Sequence, residues 1–240
     1  MIEGSREGAG GTAPGILGDG ALSRRLLLTS LAALTAVAGC TAFSPDQSRL
    51  FNLRAARQFS PDLPQADWQL VVDLPVSAAG LDTSRIALST DPTSVDYFAG
   101  VAWIERVPLL VQGLMVESFE NSGRIVAVGR DSADLRADFV LTTDLRDFQA
   151  EYSAGRGAPP QAHVRWTAKL VAMPRRSIEA SRTFEARIPA SGSGIEAVVE
   201  AFDAALSRVM SDIVAWALIQ GSRAFVAGGG RPPLPPRVNG

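Results

Sequence analysis

Residues 139–189 read FVLTTDLRDFQAEYSAGRGAPPQAHVRWTAKLVAMPRRSIEASRTFEARIP. Phe139, Leu141, Thr143 and Leu145 alternate with polar neighbours. Ala162, Val164, Trp166, Ala168 and Leu170 do the same, and so do Ile178, Ala180, Phe184, Ala186 and Ile188. Alternation at period two places each set on one face of an extended strand. Breaks fall at Gly155 to Pro160 and at Pro174-Arg175-Arg176, where glycine and proline punctuate the chain. Three amphipathic strands in succession predict an antiparallel meander with one face buried.

A helix to cover that face follows directly. Ser193-x-x-Glu196 reads as a capping box. Ile195, Val198, Val199, Phe202, Leu206, Val209, Ile213, Trp216 and Ile219 then recur at helical spacing to about Gln220. Upstream, Arg49 to Leu53 reads as a first strand. Trp68, Leu70, Val72 and Leu74 form a second, which Pro75 ends. Ile86 to Ser89 reads as a short strand. Residues 94–106 fit two periods: Val95, Tyr97, Ala99, Val101 and Trp103 as a strand, or Val95, Phe98, Ala102 and Glu105 as a helix. Pro108 suits the first turn of a second helix reaching about Asn121, which Ser122-Gly123 stops before a strand at Ile125, Val126 and Val128. The expected fold is α/β: a single domain over 49–221 with a mixed, largely antiparallel sheet, a covering helix pair and a long C-terminal helix. Residues 222–240, with RPPLPPR at 231–237, read as a disordered Gly/Pro-rich tail.

Composition removes several function classes. The 240 residues contain 23 basic and 25 acidic side chains, a formal charge of −2, so no global positive field gathers nucleic acid. One cysteine excludes an intrachain disulfide, and one histidine is too few for a zinc-type cluster. His163 falls on the polar face of its strand beside Arg165, Thr167 and Lys169, which reads as a surface histidine. Gly192-x-Gly194-x-x-Ala197 matches a dinucleotide pattern, but no strand follows that helix to carry an acidic ribose ligand. Asp144 with Asp147, and Glu117 with Glu120, read as solvated charges. No P-loop, HExxH, nucleophile elbow or CxxC occurs, so no catalytic residue, metal or cofactor is expected and the protein reads as a non-enzyme.

The first forty residues carry the sharpest functional signal. Residues 2–20 are glycine-rich. Arg24 and Arg25 then lead into an uncharged run of fourteen residues, about 21 Å of helix against a hydrocarbon core of about 30 Å. That is an export signal and not a permanent span. Arg24 and Arg25 fit either a twin-arginine signal or an ordinary basic n-region. Val37-Ala38-Gly39-Cys40 resembles the bacterial lipobox. That resemblance implies recognition of Val37, Ala38 and Gly39 by signal peptidase, a diacylglycerol on the Cys40 thiol and an acyl chain on its new amino group. Residues 1–39 are then a signal peptide and 40–48 a lipidated tether. Thr41, which is not aspartate, implies sorting to the periplasmic face of the outer membrane, with inner-membrane retention as the alternative.

Taken in order, five groups of residues resemble a known family. They are Arg49-Leu50-Phe51-Asn52-Leu53; Asp73-Leu74-Pro75-x5-Leu81-Asp82-x3-Ile86; Tyr97-x5-Trp103-x4-Pro108-x5-Leu114; Phe139-Val140-Leu141-x6-Phe148; and Ala201-Phe202-x2-Ala205-Leu206-x9-Trp216. The pattern resembles the ABC-type transport auxiliary lipoproteins that accompany MCE-domain (mammalian cell entry) lipid transporters of the paraquat-inducible type. It departs from them at Ser89-Thr90, where the family carries an arginine. The resemblance implies a strand over 95–104. It also implies a non-catalytic envelope lipoprotein that docks an MCE protein, with separate permease and ATPase subunits, and that self-associates into a ring. Two other readings stay open: a lipoprotein of outer-membrane assembly machinery, and a lipid-handling enzyme.

Overall fold

A computed structural model describes residues 48–130, 136–153, 155 and 157–230. Residues 1–39, expected as a signal peptide, Cys40, almost all of the expected tether and residues 231–240 lie outside the described residues. In chain order the elements are β1 (Arg49–Phe51), β2 (Ala66–Val72), β3 (Val76–Ser77), β4 (Arg85–Ser89), β5 (Asp96–Trp103), α1 (Val107–Ser122), β6 (Ile125–Arg130), β7 (Phe139–Glu151), β8 (Gln161–Ala172), β9 (Ser177–Pro189) and α2 (Ile195–Ala227). The fold is the α/β arrangement expected, with a mixed sheet and a long C-terminal helix.

Strand β7 organises the sheet. One of its edges pairs antiparallel with β8 from Phe139↔Ala172 to Glu151↔Gln161, and β8 pairs in the same sense with β9. This is the meander read from the alternation. The opposite edge of β7 is shared by three short parallel strands in turn. These are β2 at Phe139 to Leu141, β3 at Asp144 and Leu145, and β4 at Ala150 and Glu151. Beyond them β6 pairs with β2, β5 with β4, and β1 with β5. The two-residue strand β3 was not legible in the sequence, because Val76-Ser77 is too short to show a period.

Two bulges alter the faces that simple alternation assigns. The β7/β8 register shifts between Leu145 and Asp147, leaving Arg146 without a partner, so the buried set passes from Leu141 and Leu145 to Phe148 and Ala150. In β9 the shift at Glu179 puts Ile178 opposite Val171 while Ala180 faces Leu170. Ile178 therefore leaves the buried face where the alternation had placed it and is 59% exposed.

The meander buries Trp166, Leu170, Phe148 and Phe184 on the side where α2 packs across β8 and β9. Trp103, Phe148 and Phe202 form a mutual aromatic cluster with ring centroids 5.0 to 5.9 Å apart. Helix α1 covers β6 and β2 and touches α2. Pro108 lies in its first turn, where a missing N–H costs nothing, and Gly123 ends it at φ 61°, donating its N–H to the Glu120 carbonyl. Residues 96–103 are a strand, as the resemblance implied, because β5 must pair with β1 on one side and β4 on the other.

Both ends of α2 differ from the reading of the sequence. Its N-cap is Gly194, without a side-chain cap, so the Ser193 capping box does not form. Glu196 instead reaches Arg49. The helix also runs to Ala227 and not to about Gln220, taking in six residues assigned to the tail. Gly221 does not stop it, because that glycine packs against Trp68 inside the helix–sheet interface.

Candidate functional site

Of the residues singled out for function, Arg24, Arg25, Val37, Ala38, Gly39 and Cys40 lie outside the described residues. What the structure places is the point where the chain enters the folded body. Arg49 and Phe51 sit on β1 with the Arg49 guanidinium over the Phe51 ring, and Arg49 forms an ion pair with Glu196 in the first turn of α2. The Glu196 carboxyl also accepts its own backbone N–H, and with Arg49 this holds it below the usual carboxylate range. Next along the chain, the Arg54 backbone N–H and Nε donate to Asp203, about two turns further into α2, at 2.8 and 2.9 Å. The entering segment is thus fastened to the N-terminal end of α2.

Clefts lie at both ends of α2, and one of 560 Å³ is lined by Arg54, Gln58, Glu200 and Asp203 beside this fastening. A helix of this length runs about 50 Å. At its C-terminal end two clefts adjoin, sharing Asp138 and Met173. One of 540 Å³ has Val71, Val140 and Val171 in its walls and Arg136 and Arg176 beside them. The other, of 350 Å³, runs between Phe139, Ser177 and Phe225. Arg176 adopts φ 57°, a left-handed conformation that most side chains avoid. Nearby Val226 and Ile178 are among the most exposed large apolar side chains.

His163 is the clearest correction. It is not a surface histidine: only 3% of it is exposed. Its Nδ1 lies 2.7 Å from Oε1 of Glu151 on β7, and its Nε2 lies 3.0 Å from Oε1 of Glu185 on β9. Arg187 pairs with both carboxylates. Burial works to raise the Glu151 pKa, but the hydrogen bond and charge of His163, aided by Arg187, outweigh it and hold that carboxyl below its ordinary value. Alternation located the strand face correctly and missed the burial, because Glu151 and Glu185 come from neighbouring strands whose register is not visible in one segment.

The chemistry of this cluster is that of a clasp. Ionised carboxylates only accept, so both bonds form together only when the ring carries both protons. A general base needs one ring nitrogen directed at a substrate proton, and here each nitrogen is already committed to a carboxylate. The acidic pairs are not assembled either. Asp144 pairs with Arg146, Asp147 with Arg165 and Glu117 with Arg57. Among the described residues no group of His, Cys, Asp and Glu is placed to hold a metal ion. Gly192 and Gly194 approach no partner closely enough to require glycine.

The class defined is an α/β domain built on a long meander and one long helix, fastened at its entry point and free of an assembled acid–base constellation among the described residues. The model of the ABC-type transport auxiliary lipoprotein component matches residues 51–214, and the chain belongs to that family. The solved structure of protein XCC0632 from Xanthomonas campestris, of family DUF330, is 31% identical. It covers 74% of this chain and 98% of its own, with a TM-score of 0.70. A second crystal structure, of an uncharacterized protein, is 12% identical, covers 70% of this chain and 97% of its own, and shares the fold at a TM-score of 0.54. An uncharacterized protein of Bradyrhizobium diazoefficiens is 27% identical over 181 residues, 73% of this chain. The match takes up 46% of that relative's length, so this chain spans about half of it.

Proposed function

We propose that the protein is a lipid-anchored, non-catalytic component of an MCE-type ABC transport system, holding the periplasmic lipid-conducting MCE assembly at the outer membrane. The observation that carries this is the family match across 51–214, nearly the whole folded body, joined to the lipobox-like Val37-Ala38-Gly39-Cys40 about ten residues before it. Diacylglycerol on Cys40 together with an acyl chain on its amino group gives two or more anchors, enough for stable attachment without a span.

The placement of Arg49 supports a division of labour. Arg49, near the start of the described residues, pairs with Glu196 at the N-terminal end of α2, and in this reading that end lies toward the anchoring membrane while the C-terminal end, with exposed Ile178 and Val226, is offered to the MCE protein. ATPase and permease subunits come from other chains. Self-association into a ring belongs to the same reading.

The test is twofold. Palmitate should label the full chain and globomycin should block its processing, and both responses should vanish in Cys40→Ser. From detergent-solubilised membranes the full chain should then co-purify with an MCE-domain protein. Palmitate labelling that persists in Cys40→Ser overturns the anchor, and co-purification with β-barrel assembly components instead overturns the MCE assignment.

A further inference from the structure

We propose that the sheet face turned away from α2 carries a binding site for a single acyl chain that ends in a carboxylate, a free fatty acid. Alternation should make that face polar, and along most of β8 it does, with His163, Arg165, Thr167 and Lys169 in line. Near the C-terminal end of α2 the rule breaks. Val71 of β2 is in register with Val140 of β7, Val140 with Val171 of β8, and Val171 with Ile178 of β9. Residues in register share a face, so four branched apolar side chains form one row across four adjacent strands. The bulge at Glu179 completes the row, because it brings Ile178 round to this side.

The row has the shape of one hydrocarbon chain. Three strand spacings make it about 14 Å long. It is one residue wide, since a step of two residues along the strands, about 7 Å, reaches Thr142, Lys169 and Ser181, which are in register with one another. An α-helix, about 10–12 Å across, would overhang onto those polar groups, and two acyl chains side by side would do the same. Over Val71, Val140 and Val171 lies the cleft of 540 Å³, within the range of about 300–1,000 Å³ in which small ligands are held. Val71 is buried, Val140 and Val171 are half-buried and Ile178 is exposed, so the row runs from the floor of the cleft out to the surface. Covering it removes apolar area from water.

Two arginines supply the charge. Arg136 and Arg176 line the same cleft, and among the described residues neither has a carboxylate partner, whereas Arg106, Arg146 and Arg165 pair with Asp82, Asp144 and Asp147. A guanidinium offers a carboxylate parallel N–H donors. Asp73 and Asp138 also line the cleft, but neither is free, and Asp138 accepts the Gln69 backbone N–H at 2.8 Å. A neutral chain would leave both guanidinium groups unanswered, and a diacyl lipid would leave one of its chains without an apolar row. The site stands without the transport assignment. In that reading Ile178 is turned toward the MCE protein, so the bound chain would lie beside that contact.

The experiment uses the full chain in phosphatidylcholine vesicles, with a palmitate analogue carrying a diazirine on its chain as the probe and peptide mass spectrometry as the readout. Irradiation should label the peptides that carry Val140 and Val171. Excess palmitate should reduce that label at least tenfold, while neutral monopalmitoylglycerol and diacyl phosphatidylglycerol should not. Arg136→Glu combined with Arg176→Glu changes two exposed side chains and should reduce the label at least tenfold with an unchanged circular dichroism spectrum. Val140→Asp should do the same, and Val126→Asp, at an exposed apolar site on β6, should label like the parent. Label spread evenly over the exposed apolar residues, equal displacement by monopalmitoylglycerol or phosphatidylglycerol, or a double arginine variant that labels like the parent overturns the proposal.

Discussion

Gly221 of α2 lies flat against the Trp68 indole of β2: a Cβ added there would stand 2.9 Å from Cη2 and 3.0 Å from Cε2, and closer still to Cζ2. Trp68 is itself held, its Nε1 donating to Ser222 Oγ at 3.3 Å and its ring meeting Phe139 edge-on at 5.0 Å. A rigid, buried ring has nowhere to move. Gly221→Ala should therefore destabilise by about 1–3 kcal/mol from overpacking, outweighing a helix-propensity gain of about 0.5–1 kcal/mol. Gly113 of α1 makes the contrast. A Cβ there meets Nη2 of Arg130 at 2.5 Å, the far end of an exposed, flexible side chain that can swing aside. Gly113→Ala should leave stability unchanged or raise it. Gly221→Ala should melt below both the parent and Gly113→Ala, and a Gly221→Ala protein that melts at or above the parent refutes the packing account.

The Ser118 hydroxyl is a second point of dependence. It donates to the Leu114 carbonyl at 2.6 Å and accepts the Ala56 backbone N–H at 3.0 Å, all of it buried. Ser118→Ala would leave that N–H without a partner, at a cost of about 1–3 kcal/mol. Urea unfolding should show a lower midpoint with an unchanged m-value. Equal midpoints would mean that the loop over Ala56 finds another acceptor.

Acid sensitivity should trace in part to the His163 clasp. The Glu151 carboxyl is held below its ordinary value of 4.5 in the folded protein. A depressed folded-state pKa contributes stability that is fully present above the unfolded value and is lost as pH falls through the folded one. Stability should therefore decline as pH drops below about 4.5. Glu151→Gln should show a shallower decline over that window, read as the urea midpoint at successive pH values from 6 to 3. Parallel curves for parent and variant would remove Glu151 from the acid response.

Asp91 offers a local test in solution. Its carboxylate accepts from the Ser94 hydroxyl, from the Thr93 hydroxyl at 2.7 Å and from the Thr93 backbone N–H at 2.9 Å, which lowers its pKa to about 2. Ser94→Ala should move the Asp91 titration upward, toward ordinary aspartate, when followed by NMR of the carboxyl carbon. A titration near 4 in the parent protein would mean that this turn is not formed in solution.

The meander was legible because its evidence is local. Phe139 to Leu145, Ala162 to Leu170 and Phe184 to Ile188 each carry a period of two within one strand, and the Gly/Pro breaks mark the turns. The competing periods over 94–106 could not be separated locally, since the choice rests on pairing with Arg49–Phe51 and Arg85–Ser89, distant in sequence. The bulges at Arg146 and Glu179 were invisible for a related reason: they are mismatches between two strands and not a property of either. The capping box at Ser193 was a sound local expectation that lost to a tertiary partner, because Glu196 pairs with Arg49 and the helix starts after Gly194.

By itself the chain determined the class of fold and the family, because hydrophobic periodicity and the order of short motifs are both written along one dimension. Tertiary structure alone decided the environment of His163, the length of α2 and the surroundings of Gly221. The polar face of β8 looks solvated until Glu151 and Glu185 close over it from both sides. Gly221 shows no role in the sequence until Trp68 is seen to fill the space a side chain would occupy.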